Sequence, residues 1–292
     1  MSKNDKIQQN TREIIIATVN EEGKVADSMA DPKVCVALDG ITIEEMTDEA
    51  ARANLAGADM VEVRFDRLYL IRPDPTIAEE EEGEKVSLPP ENEWDTSDMS
   101  EVDVDASISS LKEGLPLPVI FTVRPVSEGG YFPGVESERI AIIEKAIESK
   151  VSWIDLELSI AEADRKSLQA AASKNGCKII ASKHDINGVP DSSDIVSLVK
   201  DSKDLGDIVK FCGTAHNPAD ALQIVEAAVE LKGEDLSHSL MAINGGGDWA
   251  RVHAPMLDQS LVYATMRNEF RISDKGLINV RDLRDAWTLL EY

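Results

Sequence analysis

The sequence predicts an α/β fold, a closed (β/α)8 TIM barrel, and three observations carry that prediction. Eight short apolar and β-rich runs recur along a chain of 292 residues. Helix-like segments lie between most of them, and such alternation implies a parallel sheet. Several of the runs also place ionisable residues on one face, which a barrel would gather at the C-terminal ends of its strands. A doubly wound open sheet is the alternative arrangement of the same units.

The elements follow in order. Residues 1–33 read as an N-terminal extension, in which "REIIIATV" suits a strand and "EEG" a turn, together a hairpin. "VCVAL" (34–38) is the first barrel strand. "TIEEMTDEAARANLAG" then opens on Thr42 and acidic residues, which suit a helix N-terminus, and closes on Gly57, which suits its end. "MVEVRF" (60–65) is the second strand. Residues 72–110 are rich in Glu, Asp, Pro and Ser, a composition that predicts an acidic, partly disordered insertion carrying little core. The remaining strands are "VIFTVR" (119–124), "WIDLEL" (153–158), "KIIASKH" (178–184), "IVKFC" (208–212), "LMAIN" (240–244) and "LVYATM" (261–266). "SERIAIIEKAIESK" and "NPADALQIVEAAVELKG" carry apolar residues at helical spacing between them. On this reading residues 1–292 form one barrel domain with an extension and an insertion.

Composition excludes several classes. A net charge of −25 and a pI near 4.5 repel phosphate backbones, which argues against a nucleic-acid partner. The polar start "MSKNDKIQQNTREI" is unlike a signal peptide, and no apolar run is long enough to span a bilayer. Cys35, Cys177 and Cys212 are scattered, so neither a disulfide framework nor a metal site is expected; the reading is a reduced, cytoplasmic protein. "INGGGDW" is Gly-rich but lacks the P-loop lysine and the Rossmann spacing, so no cofactor is expected there.

Strand periodicity sorts the polar residues. Glu62 and Arg64 share a face, as do Thr122 and Arg124, Asp155 and Glu157, Ser182 and His184, and Lys210 and Cys212. Each pair alone has a structural explanation; five strands carrying them to one end predict a pocket. Lys210 is the most telling, because an amine held among apolar groups and near another cation loses its proton readily and becomes a nucleophile toward ketones. The resulting imine acidifies the neighbouring C–H, and His184 on the preceding strand suits the base. Arginines suit a carboxylate on the substrate. The residues by themselves predict a Schiff-base lyase or aldolase acting on an anionic keto compound.

"EVRFDRL", "FTVRPVSEGG", "ASKHD", "GDIVKF", "INGGGDWAR" and "GLINVRDLRDAW" occur in the order found in type I 3-dehydroquinate dehydratase, and from about residue 34 onward the chain resembles that family outside the acidic segment. The resemblance implies a (β/α)8 barrel, a homodimer, and dehydration of 3-dehydroquinate to 3-dehydroshikimate in the shikimate pathway, with no cofactor. It implies that Lys210 forms the imine, that His184 is the general base and that Glu128 assists it. Glu62, Arg64 and Arg124 would bind substrate, Arg251 would hold its carboxylate, and Ser273 would lie in a closing loop. Two positions depart from the pattern: Ala250 stands where the family has Ser, and Leu277 where it has Gln. The competing readings are another Schiff-base barrel, such as a class I aldolase, and a barrel that binds an anionic metabolite without turnover.

Overall fold

The structure is a computed structural model and describes residues 31–80, 83–267, 272–273 and 275–292. The expected N-terminal hairpin lies outside the described residues. All eight expected barrel strands are present: β1 (Lys33–Ala37), β2 (Met60–Arg64), β5 (Val119–Thr122), β6 (Trp153–Glu157), β7 (Lys178–Asp185), β8 (Ile208–Ala215), β9 (His238–Asn244) and β10 (Leu261–Ala264). They pair in parallel in the order β10-β1-β2-β5-β6-β7-β8-β9. The seam between β9 and β10 is bridged by the Ser260 N–H, which donates to the His238 carbonyl, and by the Ser239 hydroxyl, which donates to the Leu261 carbonyl. The sheet is thus a nearly closed barrel rather than an open doubly wound sheet.

The helices form because their caps and apolar stripes agree. In α1 (Ile43–Ala56) the Thr42 hydroxyl accepts from the Glu45 N–H, and Gly57 adopts φ 93°, where a side chain is disfavoured. Met46, Ala50 and Ala53 face the barrel. The α3 helix (Glu136–Glu148) buries Ile142, Ile143, Ala146 and Ile147, and α4 (Glu162–Asn175) buries Leu168 and Ala172. Next come α5 (Ser192–Ser202), α6 (Pro218–Leu231), α7 (Gly247–Val252) and α8 (Val280–Leu289). Asn217 caps α6, with Pro218 in its first turn.

The acidic segment differs from its expectation. Its start forms an antiparallel hairpin of β3 (Thr76–Glu80) and β4 (Gly83–Ser87). A bridge between Leu70 and Thr96, with Ile71 N–H to Asp95 O and Ser97 N–H to Tyr69 O, draws its two ends together. Arg67, beyond β2, grips the Glu91 carboxylate through two bonds of 2.9 Å. From Val104 the segment is a barrel helix, α2 (Val104–Gly114), capped by Asp103 and burying Ile108 and Leu111. Serines and acids on its outer face concealed two apolar positions three residues apart, which is helical spacing.

Ile143 is fully buried between α3 and the barrel wall. Ile143→Ala is expected to cost about 2–5 kcal/mol of stability, read as a lower urea midpoint with an unchanged slope.

Candidate active site

Side chains that point into the barrel are stacked in layers. Cys35, Met60, Ile120, Trp153, Ile180, Ile208, Met241, Leu261 and Tyr263 form one inward-facing apolar cluster, which on most strands lies toward the N-terminal end. Two residues further along their strands the interior turns polar, with Glu62, Thr122, Asp155, Ser182, Lys210 and Tyr263, all buried. Arg64, Arg124, Glu157 and His184 follow toward the C-terminal ends. Ser182 is in register with Lys210, and His184 with Cys212. The histidine therefore stands one inward layer above the lysine, about 7 Å along the strand.

Lys210 is 2 % exposed. Its strand looks apolar because Val209 and Phe211 face the helices, but on the interior face the amine meets polar groups. Nζ lies 2.9 Å from the Tyr263 hydroxyl, 3.4 Å from Asp155 Oδ2 and 3.5 Å from Glu62 Oε1. It also sits 4.1 Å from the centre of the Tyr263 ring. The carboxylates that periodicity directs inward thus reach the amine, and Tyr263 joins them, because barrel closure brings β2, β6 and β10 around β8.

Arg124 is the hub of the polar layers. Its guanidinium donates to both Asp155 oxygens (3.2 and 3.0 Å), to Glu157 (2.8 Å) and to Ser182 (3.1 Å). Ser182 also donates a short bond to Asp155. Burial works to raise the Asp155 carboxyl, but Arg124 and then Lys210 outweigh it and hold it well below the usual range. For Glu157 burial dominates and pushes it up, against the pull of Arg124 and Arg139. Arg139 reaches Glu157 from α3 at 2.6 Å. Arg64 is clamped by Asp66 through bonds of 2.9 and 2.7 Å, and Asp66 in turn accepts from the Arg124 and Tyr131 N–H groups. Glu62 accepts from the Thr122 hydroxyl at 2.8 Å.

At the upper layer Glu128 and His184 meet. Glu128 Oε2 accepts from the His184 backbone N–H at 2.9 Å and lies 3.4 Å from Nδ1. Its other oxygen accepts from the Ser159 hydroxyl at 2.7 Å. Gly130, two residues on, packs so closely that a Cβ there would fall 2.0 Å from the Arg124 carbonyl. Burial lowers the affinity of His184 for a proton, and the cations Arg124 and Lys210 lower it further, against Asp155. The imidazole is thus held neutral, as a base must be.

Arg251 is buried, with four bonds to backbone carbonyls: Nε to Tyr263, and Nη1 to Ala242, Gly247 and Gly276. These bonds use Nε and Nη1. Ser273 is not brought to the lysine. Its hydroxyl accepts from the Leu277 N–H at 2.9 Å, and its own N–H donates to the Leu277 carbonyl. Both residues line a cleft of about 1170 Å³ at the barrel mouth, with Asp39, Arg67, Glu91, Tyr131 and Lys275. Of the groups within hydrogen-bond reach of the lysine, sequence reasoning missed Tyr263. Its period-two relation to Leu261 and Thr265 was the available signal. Among the described residues no group of three or more His, Cys, Asp or Glu is placed to hold a metal ion, and no helix is long and apolar enough to cross a membrane.

Fold and site together define an enzyme of the (β/α)8 class, with ionisable groups gathered inside the C-terminal end of the barrel. A family model of type I 3-dehydroquinase matches residues 34–292. The chain is 28% identical over 218 residues to the 3-dehydroquinate dehydratase of Methanocaldococcus jannaschii, covering 73% of this chain and 96% of that protein. It is 29% identical over 236 residues to the 3-dehydroquinate dehydratase of Methanothermobacter thermautotrophicus, covering 80% and 87%. Among solved structures, the 3-dehydroquinate dehydratase of Geobacillus kaustophilus superposes with a TM-score of 0.72 at 21% identity, covering 90% of this chain and 92% of that one. The type I enzyme of Clostridium difficile, solved with covalently modified comenic acid, gives 0.71 at 23%, covering 89% and 92%. The chain belongs to the type I 3-dehydroquinase family.

The ordinary imidazole titrates near pH 6.5. The His184 resonance, assigned with His184→Ala among four histidines, is expected to titrate below that pH in the free protein. A midpoint at or above it would mean that burial and the neighbouring cations do not control the ring.

Proposed function

We infer that this protein is a hydro-lyase that converts 3-dehydroquinate to 3-dehydroshikimate in the shikimate pathway, through an imine on Lys210. The observation that carries the reading is the buried Lys210 amine, with the neutral His184 and its Glu128 partner one layer above it. The amine adds to the substrate ketone and, with one proton taken up, water leaves to give a protonated imine. His184 takes a proton from the adjacent carbon, and the electron pair spreads into an enamine. The same proton then goes to the departing hydroxyl, and a second water hydrolyses the imine to release product and lysine. Glu128 faces the Nδ1 side of the ring and stabilises the imidazolium while it exists.

The other residues take binding roles in this proposal. Arg251 has Nε and Nη1 committed to carbonyls and, among the described residues, no carboxylate as a hydrogen-bond partner, which suits it to receive the substrate carboxylate. Arg64 and Glu62 face the substrate hydroxyls. Arg124 contributes by keeping Asp155 and Glu157 in place through its two terminal nitrogens. Ser273 shapes the mouth through its turn with Leu277. The homodimer implied by the resemblance and a cytoplasmic location are part of the same proposal, and sedimentation of the purified chain tests the first.

Incubation with 3-dehydroquinate should produce the absorbance of a conjugated enone. Borohydride added with substrate should leave an adduct on the peptide containing Lys210, and His184→Ala should keep that adduct while losing about 10²–10⁴-fold in turnover. Labelling of another lysine, or labelling that needs no substrate, would refute the imine on Lys210.

Leu277 offers no polar group where the family pattern has glutamine. Leu277→Gln is expected to lower KM with a smaller change in kcat, since one hydrogen bond contributes about 0.5–1.5 kcal/mol. Steady-state kinetics of the two proteins at equal salt and pH decide it, and an unchanged or higher KM would count against a substrate contact at this position.

A further inference from the structure

We propose that Tyr263 is a catalytic residue of this site, which carries the proton of the Lys210 ammonium to Glu62 so that the amine can attack. The inference rests on the imine reading above and adds to it the route by which the nucleophile is freed.

An ammonium cannot add to a ketone until it gives up a proton. Groups from several strands face Nζ: Tyr263 on β10, Asp155 on β6 and Glu62 on β2, with Arg124 beyond β5 and His184 on β7 nearby. The Tyr263 oxygen, at 2.9 Å, is within ordinary hydrogen-bond range, while the two carboxylates stand off at 3.4 and 3.5 Å. The phenol oxygen lies 3.4 Å from Glu62 Oε1, a long contact that has to tighten when substrate binds, and it lines up the amine, the phenol and the carboxylate in one order. Asp155 is the poorer acceptor, because both of its oxygens accept from the Arg124 guanidinium, whereas the hydrogen bonds to Glu62, from Thr122, Lys210 and Tyr263, all fall on Oε1. Burial, reinforced by Glu62, Cys35 and Asp155, keeps the Tyr263 phenol protonated. It therefore has a proton to pass on and a lone pair to receive one.

The transfer balances. The ammonium proton moves to the Tyr263 oxygen as the phenol proton moves to Glu62. An ammonium, a phenol and a carboxylate become an amine, a phenol and a carboxylic acid, with no change in total charge. The ring also lies against Nζ, 4.1 Å from its centre, on the inner side of the barrel.

The test is Tyr263→Phe, which keeps the ring and removes only the hydroxyl. Substrate is mixed with enzyme in a single turnover, and borohydride is added at timed intervals from about pH 6 to pH 9. The Phe variant is expected to form the Lys210 adduct about 100-fold more slowly at neutral pH. Its rate should climb toward that of the wild type as pH rises, because hydroxide replaces the relay. Substrate affinity and thermal midpoint should change little. A Phe variant that labels Lys210 at the wild-type rate across the range would overturn the relay, leaving the imine reading intact. A slow rate that does not recover with pH would assign Tyr263 a packing role instead and would also overturn it. Failure of the wild-type protein itself to label at Lys210 would remove the imine reading and the relay together.

Discussion

Arg124 sets the terms for the interior of this barrel. A guanidinium that is 2 % exposed cannot keep its hydration, so it has to be surrounded by acceptors. Asp155 takes it in two bonds, Glu157 and Ser182 add one each, and Arg139 balances the second carboxylate from outside the barrel wall. Removal of one member would leave the others as unpaired buried charges, which is why such networks hold a single arrangement. The lysine, the tyrosine and Glu62 lean on this frame, since Lys210 shares Asp155 with Arg124.

The barrel separates two jobs along each strand. Residues facing the helices are apolar and supply the burial that holds the sheet, as Val209 and Phe211 do on either side of Lys210. Residues facing inward change along the axis from an apolar plug to a polar upper layer. Reacting groups thus sit on strands whose backbones are fixed by neighbours on both sides, which limits their freedom before substrate arrives. The loops above do a different job. Gly130 lets the turn carrying Glu128 lie against the Arg124 carbonyl, and the Ser273–Leu277 turn forms one edge of the mouth.

The acidic segment is part of that mouth. Glu91 is held by Arg67 and also meets the Tyr131 hydroxyl, and Pro89, Pro90 and Trp94 line the same cleft. A stretch whose composition argues for solvation is in this way joined to the strand ends at its base. The ion pair with Arg67 is largely shielded on the arginine side, with 5 % of that side chain exposed, so salt screens it less than it screens the surface pairs.

The sequence by itself determined the eight strands, the alternation with helices and the face on which each ionisable residue stands. A period of two residues leaves no choice: once Lys210 points inward, Cys212 must also, and Val209 must not. It also carried the motifs whose order places the chain in its family. Only the tertiary structure decided which groups meet. Lys210 is 148 residues from Glu62, 55 from Asp155 and 53 from Tyr263, and nothing local links them. Barrel closure alone brings β2, β6 and β10 around β8, so which of the inward carboxylates reach the amine, the part played by Tyr263 and the bonds of Arg124 were not legible in advance. The same holds for α2, where polar residues on the solvent side obscured two buried positions. Periodicity is a property of the backbone and survives in one dimension, whereas a charge network depends on distances that exist only after the chain has closed.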